Sequence, residues 1–294
     1  MELQMEYLPK ATKDVWHNLR NQQEEKFNAS LIFFRFLDGS KSFLDGSKKT
    51  IEEKMEPITK KAAVETAQKL LERRGELIGW LRNSGYCVID WKQQLRKRMA
   101  VGLGNPSPIE NGLTMDRVHG LPYIPGSALK GIAQDYALAY IYQALDAQSR
   151  EEAKKSDEFV EIFGAQTPEK GYTSKSFEAK QGSVVFLDAL PLLTNQEIPF
   201  EVEIMNPHYQ KYYGSKGDTP PGDYLGPNPI TFLVVKKEIA FHFAVVATNG
   251  CSRLNTVKEW VTSALPSIGV GGKTRVGYGI FGEPYDINGE SRQE

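Results

Sequence analysis

The chain has 294 residues, 40% of them hydrophobic and 25% charged, with a formal net charge of -1 and a pI near 6.5. That is the composition of a soluble globular protein of one large domain or two modest ones, and no apolar run approaches the ~20 residues that cross a bilayer. The missing basic surplus excludes a protein that grips nucleic acid by overall charge, so any such binding must come from a local patch or from partner subunits.

The opening "MELQMEYLPK" lacks the basic-then-apolar pattern of a secretory leader. Cys87 and Cys251 fit neither a metal-ligand spacing nor a disulfide framework, so a reducing cytoplasm is the expected location. His17, His119, His208 and His242 are far apart and match no ligand set, and no metal or cofactor is expected.

The first ~85 residues read as helical. From Thr50 the strong helix formers continue, with Ala63, Ala67, Leu70, Leu71, Leu77, Ile78 and Leu81 near helical spacing. Thr50 and Glu53 form a capping box, and Gly85 is a stop signal. Upstream, "FLDGSKSFLDGSKK" (Phe36 to Lys49) is a local duplication, too short for a repeat architecture.

After Gly85 the pattern becomes extended. "YCVIDWKQQLRKRMAVGLG" predicts a long strand with Lys92, Arg96, Lys97 and Arg98 along it. A helix follows from Ser127, then the helical or looped "DAQSREEAKKSDEFVEIFG", then strands in "GSVVFLDALPLL" and "PFEVEIM". A loop rich in proline, glycine and tyrosine (207–229) leads to "PITFLVVKKEIAFHFAVVA", read as a hairpin or one bent strand. A helix "LNTVKEWVTSAL" and an extended, glycine-rich "SIGVGGKTRVGYGIFG" complete the order strand, helix, strands, helix, strand. The fold class is therefore α+β, ferredoxin-like or RRM-like (βαββαβ), with an N-terminal helical extension and loop insertions. The expected division is 1–85 helical, 86–285 the α+β domain, and 286–294 a tail.

Two segments carry charge where a phosphate would use it. In "LPYIPGSALKG", Gly126 permits a turn, Ser127 is a fitting helix cap, and Lys130 with Gly131 falls in the first turn. A helix pole, free N–H groups and a lysine make a phosphate seat; the plainer alternative is a capped helix whose lysine faces solvent. In the second segment, Gly269, Gly271, Gly272, Gly277 and Gly279 let a backbone approach a ligand, with Lys273 and Arg275 as cations and Tyr278 to stack or pack. Ser267 to Thr274 almost spells a P-loop, but a helix precedes it and an extended segment follows, the reverse of what a P-loop needs. His119 beside Asp116 reads as a turn-stabilising pair, with a general base near phosphate as the alternative. His242, in an apolar strand, reads as a core or interface residue.

The two motifs and the strand order between them resemble the RAMP superfamily of CRISPR effector proteins. "GSVVFLDA" with Asp188, "EVEIMNPHY" and "GPNPITFLVV" narrow the resemblance to the family of sixth subunits of the type III-B, or Cmr, complex. It covers roughly Trp91 to Phe281. The resemblance implies a modified ferredoxin-like fold. It also implies a place at the end of an RNA-bearing filament beside the repeated backbone subunit and a terminal neighbour, holding the 3′ side of the CRISPR RNA over complementary target RNA. Lys130, Gly271, Lys273 and Arg275 become guide-phosphate contacts, within a candidate RNA-binding set that adds Ser127, Gly131, Gly269, Gly272, Thr274 and Arg98. Relatives that cut RNA carry an aspartate in the loop before the helix. Here the counterpart by spacing is Glu110, a glutamate rather than the family's aspartate, with Asp116 closer to the helix, so a non-catalytic subunit is expected. The alternative is a metal-dependent endoribonuclease using Glu110 and Asp116, with His119.

Overall fold

The computed structural model describes residues 60–107, 111–165, 179–194, 198–206, 229–248 and 250–285, with Asn28, Ser30 and isolated positions between 212 and 227. Packing divides the chain into two units interleaved in sequence. One comprises Met1–Thr66, Ala100–Pro122 and Leu193–Lys236; the other comprises Ala67–Met99, Tyr123–Leu192 and Lys237–Glu294. The duplication at Phe36 to Lys49, the Thr50/Glu53 box, the PHY of the NPHY segment (207–209) and the 286–294 tail lie outside the described residues.

The second unit holds the predicted α+β fold. Helix α1 (Lys60–Asn83) ends where expected, at Gly85 with φ +86, and the Tyr86 N–H closes the end on Leu81 O at 3.0 Å, as left-handed glycine caps do. Strand β1 (Cys87–Gln94) is shorter than the long strand predicted. Helix α2 (Gly126–Tyr136) runs into a π turn (Ala137–Ile141). The polar stretch after it forms two short helices, α3 (Ala147–Ala153) and α4 (Asp157–Phe163), begun by the side chains of Asp146 and Ser156. A small ribbon, β2 (Gly164–Ala165) and β3 (Lys180–Gln181), follows. Then come β4 (Val184–Phe186) and β5 (Leu190–Leu192), β8 (Ala240–Ala247) and helix α5 (Leu254–Ser267).

"GSVVFLDALPLL" is not one strand. β4 and β5 both pair antiparallel with β8, but Phe186 opposes Val245 while Leu190 opposes His242. Four steps face three, which is a one-residue bulge, the usual device for re-aiming a side chain; here it carries Asp188. The last predicted strand is also different: "TRV" is a 3-10 turn (Thr274–Val276), and only isolated antiparallel bridges, Leu95 to Phe281 and Lys92 to Tyr285, set the terminal segment against β1. With that segment counted as the fourth strand, the spatial order is fourth, first, third, second, the split βαβ arrangement.

Opposed residues share a face of an antiparallel sheet. One face presents Trp91, Phe241 and Phe243, which pack with Phe281, and all four are fully buried. Trp91 stacks on Phe243 with ring centroids 5.5 Å apart, and Phe281 meets Phe243 edge-on at 5.6 Å. Such pairs contribute about 0.5–1.5 kcal/mol beyond their burial. Gln93 is buried among them and fully employed: it accepts from the Trp91 indole at 2.9 Å and donates to Gly282 O at 2.9 Å and Thr262 O at 3.3 Å. One amide thus ties β1 to α5 and to the terminal segment.

On the opposite face, α1 reaches β1 through a side-chain pair. Arg82 donates to Asp90 Oδ1 at 2.7 Å, and Asp90 Oδ2 lies 3.0 Å from His242 Nε2. His242 is therefore a core residue in an ion-paired chain, as read from its strand. Burial pushes the Asp90 carboxyl up, but the hydrogen bond and charge of His242, with Arg82, outweigh it and hold the pKa below the ordinary value.

The expectation for the cysteines is corrected: Cys87 and Cys251 are joined as a disulfide. Spacing in sequence says nothing about residues that a sheet brings side by side.

The first unit contains a hairpin-like pair, β6 (Phe200–Met205) and β7 (Ile230–Val235), in continuous antiparallel register from Phe200 with Val235 to Met205 with Ile230. β7 and β8 were expected to pair with each other or to form one strand. They do neither, because Lys236–Ile239 separates strands of two different sheets. No helix among the described residues is long and apolar enough to cross a membrane.

Candidate nucleic-acid interface

Helix α2 starts on the bulge. Its first residue, Gly126, donates its N–H to Asp188 Oδ1 at 2.7 Å, and Ile124 bridges Ala189. An added Cβ on Gly126 would run into the Phe186 carbonyl oxygen, so glycine is required for this close approach rather than for a turn. The N-cap is Pro125, whose own side chain makes no capping hydrogen bond; Ser127 is exposed. The predicted Ser127 cap is thus replaced by Asp188, a carboxylate from across the sheet. An anion does sit at the positive pole of α2, and it belongs to the protein. Behind it, Arg74 of α1 donates to Asp188 O at 3.0 Å. Burial draws the Arg74 pKa down, with Asp188 and Asp90 acting against that shift.

Lys130 is the fifth residue of α2, past the first turn where sequence placed it. Its ammonium donates to Phe163 O at 2.7 Å, the last residue of α4, where a cation suits a helix end. An ammonium has three donors, and this carbonyl takes one. Gly131 beside it meets nothing: an added Cβ would find no atom within 4 Å. A glycine inside a helix costs about 1 kcal/mol against alanine, and the packing of the described residues gives no reason for it.

The glycine-rich loop leaves the C-terminal end of α5. Two of its glycines serve its own closure. Gly279 (φ +68) accepts from Val270 N at 3.0 Å and donates to Arg98 O at 2.7 Å, and a Cβ there would collide with the Val270 carbonyl. At Gly269 (φ +76) a Cβ would crowd Ile280 and Thr274. Gly277 (φ +93) instead faces open space, and Gly271 (φ +92) is exposed. Lys273 holds a left-handed conformation (φ 60) and accepts from Val276 N and Tyr278 N, bending the loop tightly. The loop follows a helix and opens into a three-residue turn, which is not P-loop geometry.

What sequence did not show is how this loop meets the basic end of β1. Ile280 O accepts from Arg96 N at 2.9 Å and Lys97 N at 3.3 Å, and Gly282 N donates to Gln94 O at 2.8 Å. Arg96, Lys97 and Arg98 are exposed, as is Arg275. The structure therefore brings Arg98 together with Gly269, Gly271, Gly272, Lys273, Thr274 and Arg275, and adds Arg96 and Lys97 to them. Lys130 and Ser127 belong to α2. The "LRKR" run of Leu95 to Arg98 was the available signal.

In the first unit, Asp116 Oδ1 accepts from Val118 N at 2.9 Å and His119 N at 2.6 Å, and it lies 2.8 Å from His119 Nδ1. This is a turn held by its own aspartate, the role expected for the pair. Glu110 lies outside the described residues. No group of three or more potential metal ligands occurs among the described residues.

The model of the RAMP superfamily matches residues 94–282, well over half of the chain. The chain belongs to the RAMP superfamily. It is 34% identical over 268 residues to the CRISPR system Cmr subunit Cmr6 of Pyrococcus furiosus, covering 76% of this chain and 77% of that one. It is 26% identical over 223 residues to the corresponding subunit of Saccharolobus solfataricus, covering 74% of this chain and 64% of that one. These likenesses set it in the Cmr6 family. It shares its fold with a chain of the type III-B Cmr-beta complex bound to cognate target RNA (TM-score 0.54, 21% identity, covering 93% of this chain and 86% of that chain). The RAMP match runs from Gln94 to Gly282, taking in the basic run and the whole glycine-rich loop and leaving α1 outside.

Proposed function

We propose that this chain is a non-catalytic RNA-binding subunit of a cytoplasmic type III-B CRISPR complex, and that it holds the 3′ side of the CRISPR RNA at the end of the backbone filament. Its partners are then the CRISPR RNA, the complementary target RNA, the repeated backbone subunit and a terminal neighbour. The observation that carries the RNA role is the backbone junction between Arg96–Arg98 and the loop of Lys273 and Arg275, which concentrates cations in a chain of net charge -1. Phosphate contacts of this kind position a strand without reading its sequence. Exposed Gly271 and open-space Gly277 let a sugar-phosphate backbone come close, and Lys130 with the unexplained Gly131 offers a second contact. Filament subunits pack against protein on more than one side, which suits a near-neutral whole.

The test is purification of the tagged protein from its host under native conditions, with sequencing of bound RNA. Short RNAs sharing one repeat-derived 5′ tag, together with other Cmr subunits, are the expected result. Recovery of the protein with no RNA and no Cmr partner would overturn the reading. Labelled RNA incubated with the protein and Mg²⁺ is expected to stay intact. Cleavage lost on Glu110→Gln or Asp116→Asn would establish the endoribonuclease instead.

A further inference from the structure

Cys87 and Cys251 are the two cysteines of the chain, 164 positions apart, with Cα atoms 5.4 Å from each other, well within the span of a disulfide. Cys87 opens β1 and pairs with Ala247, the last residue of β8. Beyond Ala247 the chain passes Gly250, whose φ of +77 suits glycine, and returns Cys251 beside Cys87. On its other side this connection is held by hydrogen bonds. Thr248 donates from its N–H and hydroxyl to Ser183 O at 2.9 and 3.1 Å. Arg253 reaches Glu161 at 2.8 Å and Glu158 at 2.7 Å. The disulfide is what fixes the β1 side of the start of α5.

The position of this link matters as much as its presence. It stands at the first residue of β1 and just before α5, whereas the basic run and the glycine-rich loop leave the far ends of those two elements. About 23 Å of strand and about 21 Å of helix lie between.

We propose that Cys87 and Cys251 form a redox-responsive staple that sets the stability of the second unit without altering its basic surface. A small-molecule disulfide such as oxidised glutathione closes it by exchange. The exposed Cys251 thiolate attacks one glutathione sulfur and releases one glutathione thiol. Cys87 thiolate then attacks Cys251 sulfur and displaces the second. Two protein thiols are oxidised, one glutathione disulfide is reduced to two thiols, and the protons pass to the departing thiolates. Closing so long a loop removes conformational freedom from the unfolded chain, and long loops gain most in that account.

The full-length protein is equilibrated with oxidised or reduced glutathione and examined three ways. Intact mass is expected to be about 2 Da lower in the oxidised sample, by loss of two hydrogens as two thiols become a disulfide. Thermal unfolding is expected roughly 5–15 °C higher when oxidised. Affinity for a single-stranded RNA probe is expected to agree within twofold. The Cys87→Ser/Cys251→Ser variant should unfold at the reduced temperature and ignore the redox buffer; if it fails to fold, the wild-type protein with and without reductant gives the same comparison. Two free thiols in the oxidised buffer, an unchanged Tm, or a tenfold change in RNA affinity would each overturn the proposal. The first two results leave the RNA-binding reading untouched, and absent RNA binding leaves the mass and Tm readouts intact.

Discussion

Replacing Gly279 by alanine tests the closure of the loop that carries the candidate interface. The added methyl meets the Val270 carbonyl oxygen, a backbone atom that moves only if the loop does. At φ +68 an L-residue also costs about 1–2 kcal/mol. Relieving the clash breaks or stretches the bonds from Val270 N and to Arg98 O, each contributing about 1 kcal/mol net. The total is about 3–4 kcal/mol. Gly277→Ala is the control, because it pays only the backbone term: its φ is +93 and its Cβ would meet nothing. Urea titrations should show the unfolding free energy of Gly279→Ala falling by about 2 kcal/mol more than that of Gly277→Ala, through a lower midpoint at an unchanged slope. RNA affinity should fall about tenfold for Gly279→Ala, because the junction with Arg98 loses its preorganisation. Equal and mild effects of the two substitutions would refute the assignment of Gly279 to loop closure.

Further expectations follow from other residues. Arg98→Ala and Arg275→Ala should each lower the salt slope of RNA binding by about 0.7, the value for one phosphate contact on a single strand; unchanged slopes for both would remove the phosphate assignment. Gly131→Ala should stabilise the fold by about 0.5–1 kcal/mol while weakening RNA binding, read by melting and fluorescence anisotropy; tighter or equal binding would mean that nothing approaches α2 there. Gln93→Leu leaves the Trp91 indole and two carbonyls without their partner and should cost about 2–4 kcal/mol in a urea titration; a neutral result would show that the buried amide is dispensable. The Asp90 carboxyl has a folded pKa below its ordinary value, so its stabilisation is complete above the unfolded value near about 3.9 and is lost as pH falls through the folded one. Asp90→Asn should flatten that part of the acid limb in denaturation measured across pH, and an unaltered limb would contradict the pairing with His242 and Arg82.

Local pattern carried much of this protein. Helical spacing with Gly85 as a stop placed the end of α1, the alternation of strand and helix placed the α+β order, and the glycine-rich and "YIPGSALKG" motifs carried the RAMP resemblance. These are short-range properties, decided by propensity, periodicity and turn chemistry within a few residues. What tertiary structure alone decided is long-range. Lys130 reads in sequence as a phosphate seat or a solvent-facing lysine because its partner, the Phe163 carbonyl, lies 33 positions away. Ser127 looks like a cap until a bulge, visible only in the register of β4 and β5 against β8, brings Asp188 to Gly126. Cys87 and Cys251 spell no motif because a sheet, not a spacing, makes them neighbours. The backbone that carries Arg96–Arg98 and the glycine-rich loop are brought side by side only because Ile280 and Gly279 hydrogen-bond across the gap. Sequence separation hides such pairings, since hydrogen bonds and packing depend on distance in space.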